Sequence, residues 1–303
     1  MAEDYKKYLD PKTLTKVSRL DIIARLVVEG FISGMHKSPY HGFSVEFAEH
    51  REYVPGDDLR HLDWKVWSKS DRYYIKQYEE ETNLTAHILL DVSESMKYGS
   101  EEVNKQDYAN FIAASLAYML TQQQDAVGMV MWDSDVRLHL PASSSPAHLK
   151  LLLHEMANQP SAKKTHVEQT FHGLAEKIRR RGMIILISDC FAPVDELMRG
   201  LEHFRHRRHE VIVFHVMDEY ELTFPFEGNV LFKGLEEWPE LLVEPRQVRQ
   251  AYLQAVNRFQ MRLQKACANN KIDYVLVKTT DALDVVLSAY LAARGKVRRV
   301  AAR

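Results

Sequence analysis

The sequence predicts an α/β fold: a doubly wound, mostly parallel sheet, with an N-terminal helix and a small β-rich extension ahead of it. Three observations carry this. From about residue 84, apolar runs of strand length alternate with segments of helical period. The runs Ile88-Leu89-Leu90 and Ile184-Ile185-Leu186-Ile187 are continuously apolar, as strands covered on both faces are. The first is closed by Asp91 and the second, after Ser188, by Asp189, and ligands of such sheets bind beyond the carboxyl ends of the strands. Two parts are expected, residues 1–83 and 84–303.

Residues 11–34 carry the stripe Leu20, Ile23, Leu26, Val27 and Phe31, with Gly34 placed to stop a helix. Residues 36–80 interleave aromatics and charges around a Pro55-Gly56 turn and read as short strands and turns. Trp64 and Trp67 need burial partners, so this block is expected to pack on the α/β domain. Strands are then expected over 85–91, 126–132, 183–188, 211–217 and 272–277. Helices are expected near 104–122, 146–157, 166–180, 193–207 and 245–269, with a last one from about Asp281. Asp133-Ser134-Asp135 is a turn, after which Val136 to Leu140 returns antiparallel. Right-handed crossovers limit how the parallel strands connect.

With 303 residues, 46% hydrophobic and 27% charged, the composition is that of an ordinary globular protein. A net charge of -2 gives no general pull toward nucleic acid or anionic lipid. Two cysteines, Cys190 and Cys267, make no disulfide scaffold and suit a reducing compartment. No apolar run is long enough to span a bilayer, and the residues after Met1 lack the apolar core of a signal peptide. A cytoplasmic location is expected.

The chemistry concentrates at the strand ends. Asp91, Ser93 and Ser95 alternate along a loop, so their side chains share one side. If the strands ending at Asp91 and Asp189 are neighbours, these groups and Thr165 converge on one point. That is an all-oxygen site for a hard divalent cation, Mg²⁺ before Mn²⁺ or Ca²⁺, with no imidazole or thiolate to favour zinc. Simpler roles compete: Asp91, Ser93 and Ser95 can cap the next helix, and Thr165-His166-Val167-Glu168 is a capping box. Asp57, Asp58, Arg60, His61 and Asp63 read as an ion-paired turn rather than a hydrolytic cluster. His203, His206 and His209 read as a solvated helix end rather than a metal site. The basic tail from Arg294 to Arg303 reads as solvated. No Walker A loop, Gly-x-Ser-x-Gly elbow or His-Glu-x-x-His is present.

Asp91, Ser93, Ser95, Thr165 and Asp189, in that order and on those elements, resemble the metal-ion-dependent adhesion site of von Willebrand factor A domains, over roughly residues 84–292. Just ahead of them, Glu46-Phe47-Ala48, the run Arg51 to Arg60 and Asp63-Trp64 resemble the bacterial domain-of-unknown-function 58 family, where such a block precedes an A-type domain. Two departures stand out. Many members carry N-terminal transmembrane helices, absent from this sequence, and Lys163-Lys164 replace the glycines that commonly precede the threonine.

The resemblance implies an adaptor or chaperone component working with a MoxR-type AAA+ ATPase. The expected function is therefore metal-dependent protein binding and not catalysis: Ser93 and Ser95 ligate the metal, Thr165 does so directly or through water, and Asp91 and Asp189 orient waters and balance charge. An open coordination position then accepts a partner's acidic side chain. The alternatives are a Mg²⁺-dependent hydrolase of the phosphoryl class and a metal-independent scaffold. Asp189→Ala is expected to lose capture while keeping the fold.

Overall fold

A computed structural model describes residues 44–52, 73–81, 84–133, 135–158, 167–234, 240–283, 285–287 and 289–290. The helix expected over 11–34, the Asp57–Asp63 turn, Trp64, Trp67, Thr165 and the basic tail lie outside the described residues. The chain divides into two compact units. One contains β1 (Ser44–Glu52) and β2 (Tyr74–Glu81), an antiparallel pair whose register shifts between Phe47 and Glu49.

The other unit carries the site. Its strands are β3 (Thr85–Asp91), β4 (Ala126–Trp132), β5 (Val136–Ser143), β6 (Met183–Ser188) and β7 (Glu210–Met217). A small hairpin comes next, β8 (Val230–Phe232) with β9 (Leu241–Val243), and then β10 (Asp273–Lys278). The six-stranded sheet has the order β10-β7-β6-β3-β4-β5. All its pairs are parallel except β4 with β5. The chain leaves β3 for β4 on one side and later returns to β6 on the other. The strand order therefore reverses between β3 and β6, as expected for the crevice.

Residues Ala86–Leu90 of β3 and Ile184–Ile187 of β6 are buried, which is why their sequence is apolar rather than alternating. His87 is the polar exception in β3, and Gly128 of β4 makes room for it: an added Cβ there would lie 2.9 Å from His87 Nδ1.

Helix α1 (Lys105–Gln122) starts at Asn104, whose side chain accepts from the Asp107 amide, and residues all round its circumference are buried. Helix α2 (Pro146–Ala157) pairs a Ser145 cap with proline in its first turn. Helices α3 (Val167–Lys177) and α4 (Val194–His206) pack through Phe171, which meets Trp132 edge-on at 4.9 Å between centroids and lies against Gly200. After β7 comes the one-turn helix α5 (Glu219–Thr223), and α6 (Pro245–Asn269) covers the sheet mainly through Leu263 and Cys267. Helical residues recur at 283, 285–287 and 289–290, near the expected last helix.

Sequence pattern did not mark α5 or the β8–β9 hairpin, which are too short to show a period. His209 is fully buried rather than solvated, taking the Gly182 amide on Nδ1 and facing the Ile178 carbonyl with Nε2. Its role is to tie the β6 and β7 approaches together.

Phe171 fills the α3–α4–β4 junction with no exposure. Phe171→Ala is expected to cost about 3–5 kcal/mol, measured as a lower denaturation midpoint at unchanged m-value.

Candidate functional site

Asp91 closes β3, and the chain continues extended through Ser93 (φ -62, ψ 162) into a 3-10 turn, Glu94–Lys97. Met96, with no exposure, anchors that turn in the core. The loop is further held by Val92 N–H donating to Trp132 O at 2.9 Å and by Gln106 Nε2 donating to Asp91 O at 3.1 Å. Ser93 Oγ and Ser95 Oγ consequently face each other at 3.0 Å. Asp91 Oδ1 accepts the Ser93 amide at 2.9 Å, and Oδ2 accepts Ser188 Oγ–H at 2.5 Å.

Asp189 leaves the neighbouring strand end. The next residue, Cys190, has φ +55, a left-handed conformation uncommon for a side chain without an amide or carboxylate. Cys190 N–H donates to Ser188 Oγ at 2.9 Å, so one serine hydroxyl joins that strained turn to Asp91. Asp189 Oδ1 accepts the Phe191 amide at 3.2 Å. Its Oδ2 accepts Lys105 Nζ–H at 2.8 Å, and the same ammonium donates to Glu221 Oε1 at 2.8 Å. Glu221 is fixed in turn: its Oε2 accepts the Asp218 amide at 2.9 Å, one half of the α5 capping box. The ring of Phe191, 54% exposed, covers the ammonium at 4.9 Å.

The structure thus gathers Asp91, Ser93, Ser95 and Asp189 at the β3–β6 crevice, while Thr165 falls outside the described residues. It adds Lys105, Ser188 and Glu221, which the sequence pattern did not mark. Two signals were available. A lysine in the first position of a helix opposes the helix dipole, and Asp218-x-x-Glu221 has capping-box spacing.

Asp91 and Asp189 are 4% and 1% exposed. Burial, and then repulsion from Asp189, push the Asp91 carboxyl up to about 7 despite its hydrogen bonds from Ser188 and Ser93. Lys105 is pulled down by burial, but Asp189 and Glu221 outweigh this and hold it above its usual value. Burial raises Glu221 against the opposing pull of Lys105. Burial also drives the Cys190 thiol well up and Cys267 to about 12, so both stay protonated at neutral pH.

These residues fit a hard cation. The donor atoms are all oxygen, and the 3.0 Å hydroxyl separation matches two adjacent ligands of an octahedral Mg²⁺ with bonds of about 2.1 Å. The mutual repulsion of two buried carboxylates is what a cation relieves. Among the described residues no group of three His, Cys, Asp or Glu side chains is arranged to hold a metal.

Comparison with known proteins agrees with the resemblance to the domain-of-unknown-function 58 family. Residues 49–262, more than half of the chain, match the family described as "Protein of unknown function DUF58". A Mycobacterium tuberculosis H37Rv protein named "Uncharacterized protein Rv1480" is 27% identical over 230 residues, 75% of this chain and 72% of its own. Among solved structures, the conserved hypothetical protein BatB of Bacteroides thetaiotaomicron aligns at 18% identity and TM-score 0.46, covering 70% of this chain and 99% of its own. The SpRpn10 VWA domain aligns at 14% and 0.37, covering 67% and 92%.

The raised carboxyl of Asp91 gives a pH signature. A group bound more tightly to its proton in the folded state contributes stability that is complete below the unfolded value near 3.8 and lost as pH rises toward 7. His87 and His215, lowered to about 4 mainly by burial, act oppositely, losing stability as pH falls from 6.5. The clean observable is the difference between proteins. In EDTA, wild type should lose stability relative to Asp91→Asn as pH rises from 4 to 7, and Mg²⁺ should narrow the gap. Parallel stability curves would show that Asp91 does not titrate this way.

Proposed function

The chain belongs to the DUF58 family, with a von Willebrand factor A-like α/β domain, and from that premise we propose that it is a metal-dependent protein-binding adaptor rather than an enzyme. The observation that carries this reading is the pair of hydroxyls, Ser93 and Ser95, set 3.0 Å apart beside two buried carboxylates at the switch point of the sheet. Ser93 and Ser95 would hold Mg²⁺ (or Mn²⁺) directly, Thr165 would join them, and Asp91 and Asp189 would balance the charge. When bound, the metal supplies an electrophilic coordination position for an acidic side chain of the partner.

The chain's own residues set the rest of the interaction. Asp91 is locked by Ser188 and the Ser93 amide, so the loop presents its hydroxyls without reorganisation. Phe191, half exposed beside Asp189, offers the apolar contact next to the charged one. By family resemblance, the partner is a MoxR-type AAA+ ATPase or its client. Among the described residues no helix is long and apolar enough to cross a membrane.

Asp189 is a poor site for the decisive mutation. Removing it takes away one of the two carboxylates that hold the Lys105 ammonium and the acceptor of the Phe191 amide, so Asp189→Ala should lose stability together with capture. The hydroxyls are cleaner. Ser93→Ala and Ser95→Ala should each weaken Mg²⁺ binding by roughly tenfold or more, about 1.4 kcal/mol, in titration calorimetry with melting temperature little changed. The same variants should lose Mg²⁺-dependent capture of the ATPase from native lysate. Equal capture in Mg²⁺ and EDTA by wild type and variants would overturn the mechanism.

A further inference from the structure

Lys105 has no exposed surface, and its ammonium lies between two carboxylates, each 2.8 Å away. Nothing in the local sequence calls for a lysine there. It is the first residue of α1, where the dipole disfavours a cation, and the helix is already capped by Asn104. Its backbone is fixed by Lys105 N–H donating to Tyr98 O at 2.9 Å, and the rings of Phe191 and Tyr98 flank its ammonium at 4.9 and 5.8 Å. The side chain is therefore aimed, and its target is the carboxylate expected to serve the metal.

We propose that Lys105 is a built-in counter-ion of the site: its ammonium and a divalent cation are alternative partners of the Asp189 carboxylate, so that Lys105 sets how tightly the site takes metal. This rests on the metal-binding reading above. Asp189 Oδ1 accepts the Phe191 amide and Oδ2 the Lys105 ammonium, so a metal competes for this carboxylate with a positive charge already in place. Glu221 makes that exchange feasible. It is immobilised by the Asp218 amide, and Asp218 is itself held by Ser100 N–H and Thr279 Oγ–H at 3.0 and 3.1 Å. The ammonium can thus remain with Glu221 when Asp189 turns to the metal, and no buried charge is left unpaired. Two positive centres sharing one carboxylate also repel, so metal binding works against Lys105 even without displacement.

The test uses the full chain and Mg²⁺ alone as probe. Titration calorimetry compares wild type with Lys105→Gln, Lys105→Met and Lys105→Arg, alongside thermal melts in EDTA and in Mg²⁺. The two neutral variants should bind Mg²⁺ roughly tenfold or more tightly than wild type, whereas the arginine variant should not. Mg²⁺ should raise their melting temperature more than that of wild type, because the metal takes over the missing charge. Unchanged or weaker Mg²⁺ affinity in the neutral variants would overturn the inference. So would neutral variants that stay unfolded at saturating Mg²⁺, since a metal that cannot replace the ammonium is not its alternative. Tighter metal binding without Mg²⁺-dependent capture by any of the proteins would leave the counter-ion role standing and remove the adaptor reading. No Mg²⁺ binding by any of them would remove both.

Discussion

Two carboxylates buried at the ends of adjacent parallel strands set the constraint on which the rest of this site depends. Asp91 ends β3 and Asp189 directly follows β6; the two strands pair in register up to Leu90 and Ile187, so both acids emerge on one edge with little water around them. Ionising both in that setting is costly, and the chain answers the cost in two ways. It gives Asp91 neutral donors, Ser188 and the Ser93 amide. It gives Asp189 a full positive charge from Lys105. The asymmetry matters, because hydrogen bonds alone leave Asp91 with a carboxyl raised to about 7.

The backbone is bent to serve that arrangement. Cys190 adopts φ +55 immediately after Asp189, and its amide is satisfied by Ser188 Oγ instead of a sheet partner. A side chain in that conformation costs energy that the surrounding core must supply. The turn folds Asp189 back toward the strand end, where its carboxylate takes the Phe191 amide and the Lys105 ammonium. On the other strand, the buried Met96 pulls the loop after Asp91 into a 3-10 turn, which brings Ser93 and Ser95 onto one side. Strain on one strand and an apolar anchor on the other thus place the polar atoms.

How much of this was legible beforehand depends on the range of each interaction. Five strands of the main sheet announced themselves through apolar runs and the sixth, β5, as the return after the Asp133-Ser134-Asp135 turn, and the strand-end position of Asp91 and Asp189 came from where those runs stop. The alternation of Asp91, Ser93 and Ser95 is a local pattern, and the two hydroxyls do face each other. Lys105 is different: its partners are 84 and 116 residues away, and a lysine that opens a helix looks like any exposed one until β6 and α5 arrive above it. Ser188 was hidden for a related reason, since it ends a strand as an ordinary residue and gains its role only through Asp91, 97 positions earlier. Lone Lys105 and Ser188 carry no periodicity, and only topology gives them meaning.

The network also bears on how freely the crevice can rearrange. Here the polar atoms are already committed to one another. Ser188 donates to Asp91 and receives Cys190 N–H, Glu221 is held at both oxygens, and the two buried thiols remain protonated. Commitment of this kind makes the crevice rigid, and the variable quantity is how much positive charge the strand ends still require. The Ser93 and Ser95 hydroxyls bond each other, an interaction worth about 1 kcal/mol net, and Ser93 also donates to Asp91; all are neutral contacts. Those two hydroxyls are therefore the easiest groups in the crevice to redirect toward an incoming cation, and Asp189, held by a charged partner, is the hardest. In the proposed metal site that ordering puts the hydroxyls first and leaves the Asp189–Lys105 pair as the contact that opposes the cation.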